Sequence, residues 1–317
     1  MAAMVKRYRL FYKMIALVTT IVFVPAVFAG NVAIIKTRNL APYNEAITGF
    51  TINCSSLKTK EYDMEVDQAR GEEIAGKINA SKPSVVLAVG NPAAQIAKLY
   101  IDKSIPVVFI MVQDPEKIGL QGIDNITGIS MDIPIETQLR ALKALVPSVT
   151  KVGALYNPKN SAGDIREAMK ISSQLGFRII AAKVDTPNDV SRALRAFAEG
   201  IDAYWMLPDR TVMQAFATIL TYTNEKKIPF LAPLKIMVDK GALVSLAANY
   251  ANIGSQGCGV VNQVIAGTKP SQIPISPPRG LELTVNLTAA KTLGLQSIAT
   301  NAMTFGGSEG YKISVSQ

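Results

Sequence analysis

Val85-Val86-Leu87-Ala88-Val89-Gly90-Asn91-Pro92-Ala93-Ala94 decides the fold of this chain. Five consecutive apolar residues read as a strand buried on both faces, as in a parallel sheet covered by helices. Gly90 permits a tight turn, Asn91 suits a helix cap, and Pro92 suits the first helical position. A helix therefore starts where the strand stops, which is the unit of a doubly wound α/β sheet.

The same unit recurs on both sides of this stretch. Strand-like runs come first at Val32–Lys36, Phe50–Cys54, Ser84–Val89, Pro106–Met111 and Ile126–Met131. A second set follows at Lys151–Tyr156, Phe177–Lys183, Asp202–Leu207, Ile228–Leu231 and Gly241–Ala247. Helical periodicity separates them, over Met64–Asn79, Pro134–Leu145, Asp164–Leu175, Asn188–Ala198 and Val212–Asn224. The alternation occurs twice, which predicts two doubly wound parallel-sheet lobes with right-handed crossovers. Tyr250–Ala266 reads as a further helix. Gly267–Gly280, with four prolines, reads as an extended linker, and Leu281–Asn286 as one more strand. The tail from Thr300 carries no clear signal.

Composition narrows the chemistry. The chain has no histidine and two cysteines. That removes Ser-His-Asp and Cys-His arrangements, histidine-ligated metals and the usual general base near neutral pH. No metal or organic cofactor is expected, and no Gly-x-Gly-x-x-Gly follows the first strand. Gly71–Lys77 fits part of the P-loop pattern, but Ile78 stands where Ser or Thr would hold magnesium. An enzyme is not expected. Lys and Arg are scattered rather than clustered, so nucleic acid is not an expected partner.

The start of the chain has the pattern of an export signal. Lys6, Arg7, Arg9 and Lys13 precede an uncharged run from Met14 to Phe28. Fifteen residues fall short of the roughly 20 that span a bilayer as a helix, although a membrane anchor is the alternative. Val27-Phe28-Ala29 offers a cleavage site, so residues 1–29 are expected to be a signal peptide. Gly30 rather than cysteine follows the expected cut, so no lipid anchor is expected. Removing four cations lowers the formal charge from +9 to +5. A periplasmic location follows, and there Cys54 and Cys258 either form a disulfide or remain two small buried thiols.

In open parallel sheets, ligands bind beyond the carboxyl ends of the strands. The residues there are the candidate site. Arg38 and Tyr43 follow the first strand. Asn91 and Ala93 open a helix whose free N–H groups could hold an anion. Asp114 follows Val107–Met111 and could accept from an ammonium group. Tyr156 ends the run Lys151–Tyr156 and Asn157 follows it, and Asp209 follows Leu207-Pro208. Each also has a reading as turn chemistry or cap. Trp205, within a strand run, reads as core more than as a stacking surface.

Taken in order, several segments resemble the substrate-binding proteins of ABC transporters. They are Gly90-Asn91-Pro92-Ala93-Ala94, Pro106–Pro115, Asn125-Ile126-Thr127-Gly128, Leu155-Tyr156-Asn157-Pro158, Leu207-Pro208-Asp209, Asn286-Leu287-Thr288 and Leu293-Gly294-Leu295. The chain is similar to the type I periplasmic-binding-protein group that includes tryptophan and tyrosine uptake components. Arg38–Asn44 departs from the usual first loop of that family.

The resemblance implies two lobes joined by three crossovers, with residues 30–130 plus 248–270 in lobe 1 and 131–247 plus 271–317 in lobe 2. Both cysteines then fall in lobe 1, which favours a bridge between them. The resemblance also implies a monomer that captures a small polar solute, such as an amino acid, in a closing hinge and delivers it to an ABC permease in the inner membrane. A periplasmic module that presents its ligand to a membrane signalling protein is the alternative.

Overall fold

The computed structural model describes residues 30–316. The signal peptide expected over residues 1–29 lies outside them. The first half runs β1 (Asn31–Lys36), α1 (Ala41–Asn53), β2 (Lys58–Asp63), α2 (Gln68–Ser81), β3 (Val85–Val89), α3 (Asn91–Tyr100), β4 (Val107–Val112) and β5 (Ile126–Ser130). Next come α4 (Ile135–Leu145), β6 (Lys151–Tyr156), α5 (Pro158–Gln174), β7 (Arg178–Lys183), the short α6 (Val190–Ala193) and β8 (Ala203–Trp205). Then follow α7 (Arg210–Gln214), α8 (Phe216–Glu225), β9 (Phe230–Ala232), α9 (Lys235–Asp239) and β10 (Val244–Ala248). The chain ends with α10 (Tyr250–Ile265), β11 (Leu281–Asn286), α11 (Leu287–Thr292), α12 (Ile298–Glu309) and β12 (Lys312–Ser316).

Two sheets result. The first has the order β2-β1-β3-β4-β5 and is parallel throughout. The second has the order β12-β11-β10-β9-β8-β6-β7. Its β7-β6-β8-β9-β10 part repeats the order of the first sheet. The second sheet is mixed, because β11 runs antiparallel to β10 while β12 runs parallel to β11. The chain passes between the sheets three times: from β5 to α4, from β10 to α10, and from α10 to β11. The last passage is the proline-rich segment. Its Ser276 bridges Ile129 at the end of β5.

The apolar runs are buried as their composition requires. Val85–Val89 and Val107–Val112 are buried along their whole length. One face of the first sheet packs on Ile74, Ile78 and Ile96 of α2 and α3, and the other on Phe50 and Ile253 of α1 and α10. Each such side chain contributes about 1.5–3 kcal/mol of burial. Helices α1 and α10 meet backbone to backbone. A Cβ at Gly254 would lie 1.9 Å from the Ala46 carbonyl oxygen, and one at Gly49 2.1 Å from that of Ala251. Within the Gly254–Gly259 stretch, Gly254 thus serves contact with α1 and Gly257, beside Ile110, contact with the sheet. Cys54 and Cys258 are bonded at this same junction, with Cα atoms 5.7 Å apart.

Three elements differ from the sequence expectation. Phe50–Cys54, expected as a strand, is the last turn of α1 and its cap. Packing of Phe50 against α10 outweighs the β preference of that run. Strand β2, Lys-Thr-Lys-Glu-Tyr-Asp, is an exposed edge with no apolar run to announce it. The tail beyond Thr300 completes α12 and adds β12.

Glu282 on β11 ties the outer part of the second sheet together. Its carboxylate accepts from Lys235 Nζ at 2.8 Å and Ser314 Oγ at 2.6 Å, with Lys312 Nζ at 3.4 Å. Burial would raise this carboxyl, but those hydrogen bonds and the two lysine charges outweigh it and hold the pKa at about 2.

Candidate ligand-binding cleft

The carboxyl ends of the strands in both sheets open onto one cleft of about 930 Å³. That is the size of a small-molecule site. From the first lobe come Gln113–Lys117, the loop after β4. From the second come Asp164 and Glu167 of α5, and Trp205, Leu207 and Pro208 at the end of β8. All three passages between the sheets contribute, with Met131–Pro134, Ala248 with Tyr250, and Pro270–Pro277. A lining drawn from both lobes and from the joints between them is the arrangement that lobe closure can tighten.

The floor is apolar. Trp205, only 1% exposed, is fixed by its indole N–H, which donates to Gln138 Oε1 at 3.0 Å. Gln138 in turn donates to the Ile133 carbonyl at 2.8 Å, which joins the Trp205 ring to the first passage. Leu207, Met213 and Leu246 extend the apolar surface.

The rim is acidic. Asp114, in the loop after β4, has a positive φ of 47°, and Met111, near the end of β4, has one of 59°. Few side chains other than glycine adopt that region without a compensating contact. The compensation is Asp132, whose two carboxylate oxygens each accept the Asp114 N–H at 3.1 Å. Burial raises the Asp132 pKa, and the Asp114 and Asp164 charges push the same way against the Asp114 N–H. Asp164 is also raised, by burial first and then by the Asp114 and Glu167 carboxylates, with Lys117 opposing. Three carboxylates from three parts of the chain thus gather on one cleft, with Asp132 in contact with the Asp114 backbone.

Of the eight expected ligand residues, Asp114 lines this cleft; Arg38, Tyr43, Asn91, Ala93, Tyr156, Asn157 and Asp209 are outside the lining. Arg38 is exposed beyond β1. Tyr43 is half-buried beside Thr37 and Gly90, and burial raises its phenol. The Asn91 side chain is occupied by the Gln113 backbone. It donates to the carbonyl at 2.8 Å and accepts the N–H at 2.9 Å. The Ala93 N–H donates to Thr37 Oγ1 at 3.3 Å, so this helix start already has its acceptor.

Tyr156 is half-buried at the end of β6. Asn157 caps α5 and donates to the Asp185 carbonyl. Asp209, 1% exposed, accepts from Asn157 N–H, Ser161 Oγ, Asn160 Nδ2, Thr211 N–H and Val212 N–H. Its carboxylate is the acceptor that joins the starts of α5 and α7. Trp205, Asp132 and Asp164 were not among the candidates. Trp205 sits inside its strand run and Asp164 within a helical run, while Asp132 directly follows the strand run Ile126–Met131, where the strand-end rule applies to it as well.

Among the described residues no group of three or more potential ligands could hold a metal ion. No described helix is long and apolar enough to cross a membrane.

Comparison with known proteins agrees with this architecture. A tyrosine-binding protein of Clostridioides difficile is 24% identical over 253 residues, covering 78% of this chain and 73% of that protein. The ligand-free, open structure of a substrate-binding protein with adhesive properties from Clostridium difficile has a TM-score of 0.76 at 22% identity, covering 91% of this chain and 100% of that one. A Streptococcus pneumonia ABC domain in complex with L-Trp has a TM-score of 0.62 at 22% identity, covering 86% and 98%. At these identities the structural likeness carries the fold. The family model described as ABC transporter substrate binding protein matches residues 16–302, and the chain belongs to that family.

Proposed function

We propose that the solute carries an ammonium group, as an amino acid or a related amine does, and that Asp114 pairs with it. Membership of the family makes the protein the substrate-binding component of an ABC transporter. It binds a small polar solute between its lobes and works with a membrane permease, carrying substrate rather than converting it. The finer assignment rests on one observation: Asp114, Asp132 and Asp164 reach the same cleft from the first lobe, the first passage and the second lobe. A cation between them relieves mutual repulsion and draws the lobes together, so closed protein is favoured by differential affinity. The names of the tyrosine-binding relative and of the L-Trp complex are consistent with a solute of this kind. In this reading the protein acts as a monomer in the periplasm.

Trp205 is the single tryptophan of the chain, so its fluorescence reports on the cleft. Titration with a panel of amino acids and amines is expected to change that signal for the cognate class. Asp114→Asn should weaken the best solute by more than tenfold while the unfolding midpoint stays within about 2 °C, as an exposed side chain allows. Unchanged affinity in Asp114→Asn would remove Asp114 from the site.

A further inference from the structure

We infer that the solute is a net cation, an amine or a basic amino acid, rather than a neutral zwitterion. This rests on the reading that the interlobe cleft takes an ammonium solute, and it deepens that reading by assigning the sign of the whole molecule. The site is the cleft itself; the charges lining it decide what fits. Five carboxylates line it, those of Asp114, Glu116, Asp132, Asp164 and Glu167, against one cation among the described lining residues, Lys117.

Lys117 is already engaged. Its Nζ donates across the cleft to the carbonyls of Lys159 and Asn160, at 3.4 and 3.3 Å, and its charge acts on Asp164. The carbonyls it meets are those of the first turn of α5, beside the kink at Ser161. A solute carboxylate would have to compete with both for this one cation.

Helix starts are the other common anion site, and four of them here have side-chain acceptors of their own. The Ala93 N–H of α3 donates to Thr37. The side chain of Asn157 caps α5, that of Asp209 caps α7, and that of Asn249 caps α10. Helix α4 has no side-chain cap, but Glu136 stands in its first turn. An ammonium group is therefore met by carboxylates from three elements. A carboxylate would enter a field of its own sign, with Lys117, the one cation among the described lining residues, already engaged. The remaining wall, Trp205 with Leu207 and Met213, suits an apolar body and carries no charge.

The test compares matched pairs that differ by one carboxylate: tyramine with tyrosine, tryptamine with tryptophan, agmatine with arginine. Dissociation constants are measured by calorimetry on the wild-type protein freed of co-purified ligand. The decarboxylated member of the binding pair is expected to bind at least tenfold tighter than its parent. Asp164→Asn should narrow that ratio severalfold with no loss of thermal stability. A zwitterionic parent, tyrosine or tryptophan, that binds as tightly as its amine, or tighter, overturns the net-cation inference while leaving the ammonium reading intact; arginine is itself a net cation and fits the inference whichever member of its pair binds tighter. Binding by none of the six overturns both. The wild-type comparison stands on its own whether or not the variant folds.

Discussion

Asp209→Ala is expected to lower the unfolding midpoint by about 10 °C, the largest loss from any single polar side chain considered. Asp209 is buried and accepts five hydrogen bonds, the shortest 2.8 Å from the Asn157 N–H. Its removal leaves Ser161, Thr211 and the Asn157 backbone without an acceptor, and it uncaps α7. Stranding buried donors costs about 1–3 kcal/mol each, and a lost cap about 1 kcal/mol, with partial relief by water. A total of about 3–4 kcal/mol converts to the stated shift at roughly 2–4 °C per kcal/mol. Thermal unfolding of the variant checks this, with solute affinity measured well below the new midpoint. An unchanged midpoint together with lost affinity would make Asp209 a solute contact instead of the joint between α5 and α7.

Reduction of the disulfide, or the Cys54→Ala/Cys258→Ala double variant, is expected to lower the midpoint by a comparable or larger amount. The bridge closes a separation of 204 residues, for which chain entropy sets an upper estimate of about 5 kcal/mol. The loop it closes contains the whole second-lobe sheet up to β10, so the two ends would otherwise find each other only through folding. Its position matters as much. Helices α1 and α10 pack so closely at Gly254 and Gly49 that a small displacement breaks backbone contact. The bridge holds that junction in register. Differential scanning calorimetry with and without reductant checks the claim, and coincident transitions would contradict it. Solute affinity at 25 °C should change less than twofold, because both cysteines lie outside the cleft lining.

The fold was legible where burial forces composition. Val85–Val89 and Val107–Met111 cannot face water on either side, and each lies in a parallel sheet. Lys58–Asp63 was not legible, because an edge strand needs charge for solubility more than it needs an apolar face. Phe50–Cys54 misled because local preference favours a strand, whereas the disulfide and the contact with α10 hold it as helix and cap. The β12 strand depends on Gly306, where a Cβ would lie 2.9 Å from Ile313, and a Gly-rich tail advertises nothing of that contact.

The site was legible in outline and not in detail. Strand-end position singled out Asp114, and the structure sets it in the cleft. The same rule selected Asn91, Asn157 and Asp209, whose side chains serve the backbone. A short polar side chain at a strand end is what a ligand contact requires and also what a helix start requires. Only the hydrogen-bond partners separate the two. Asp132 and Asp164 emerge from the meeting of a joint and a helix from different lobes, a proximity that no spacing in the sequence encodes.

A small solute held between the lobes is expected to draw them together. Small-angle X-ray scattering of the protein, with and without a saturating solute identified by the Trp205 titration, tests it most directly. The radius of gyration and the maximum dimension should both fall on binding, and Asp114→Asn should need more than tenfold higher solute for the same change. A solute that binds with full occupancy and leaves both dimensions unchanged would contradict the account.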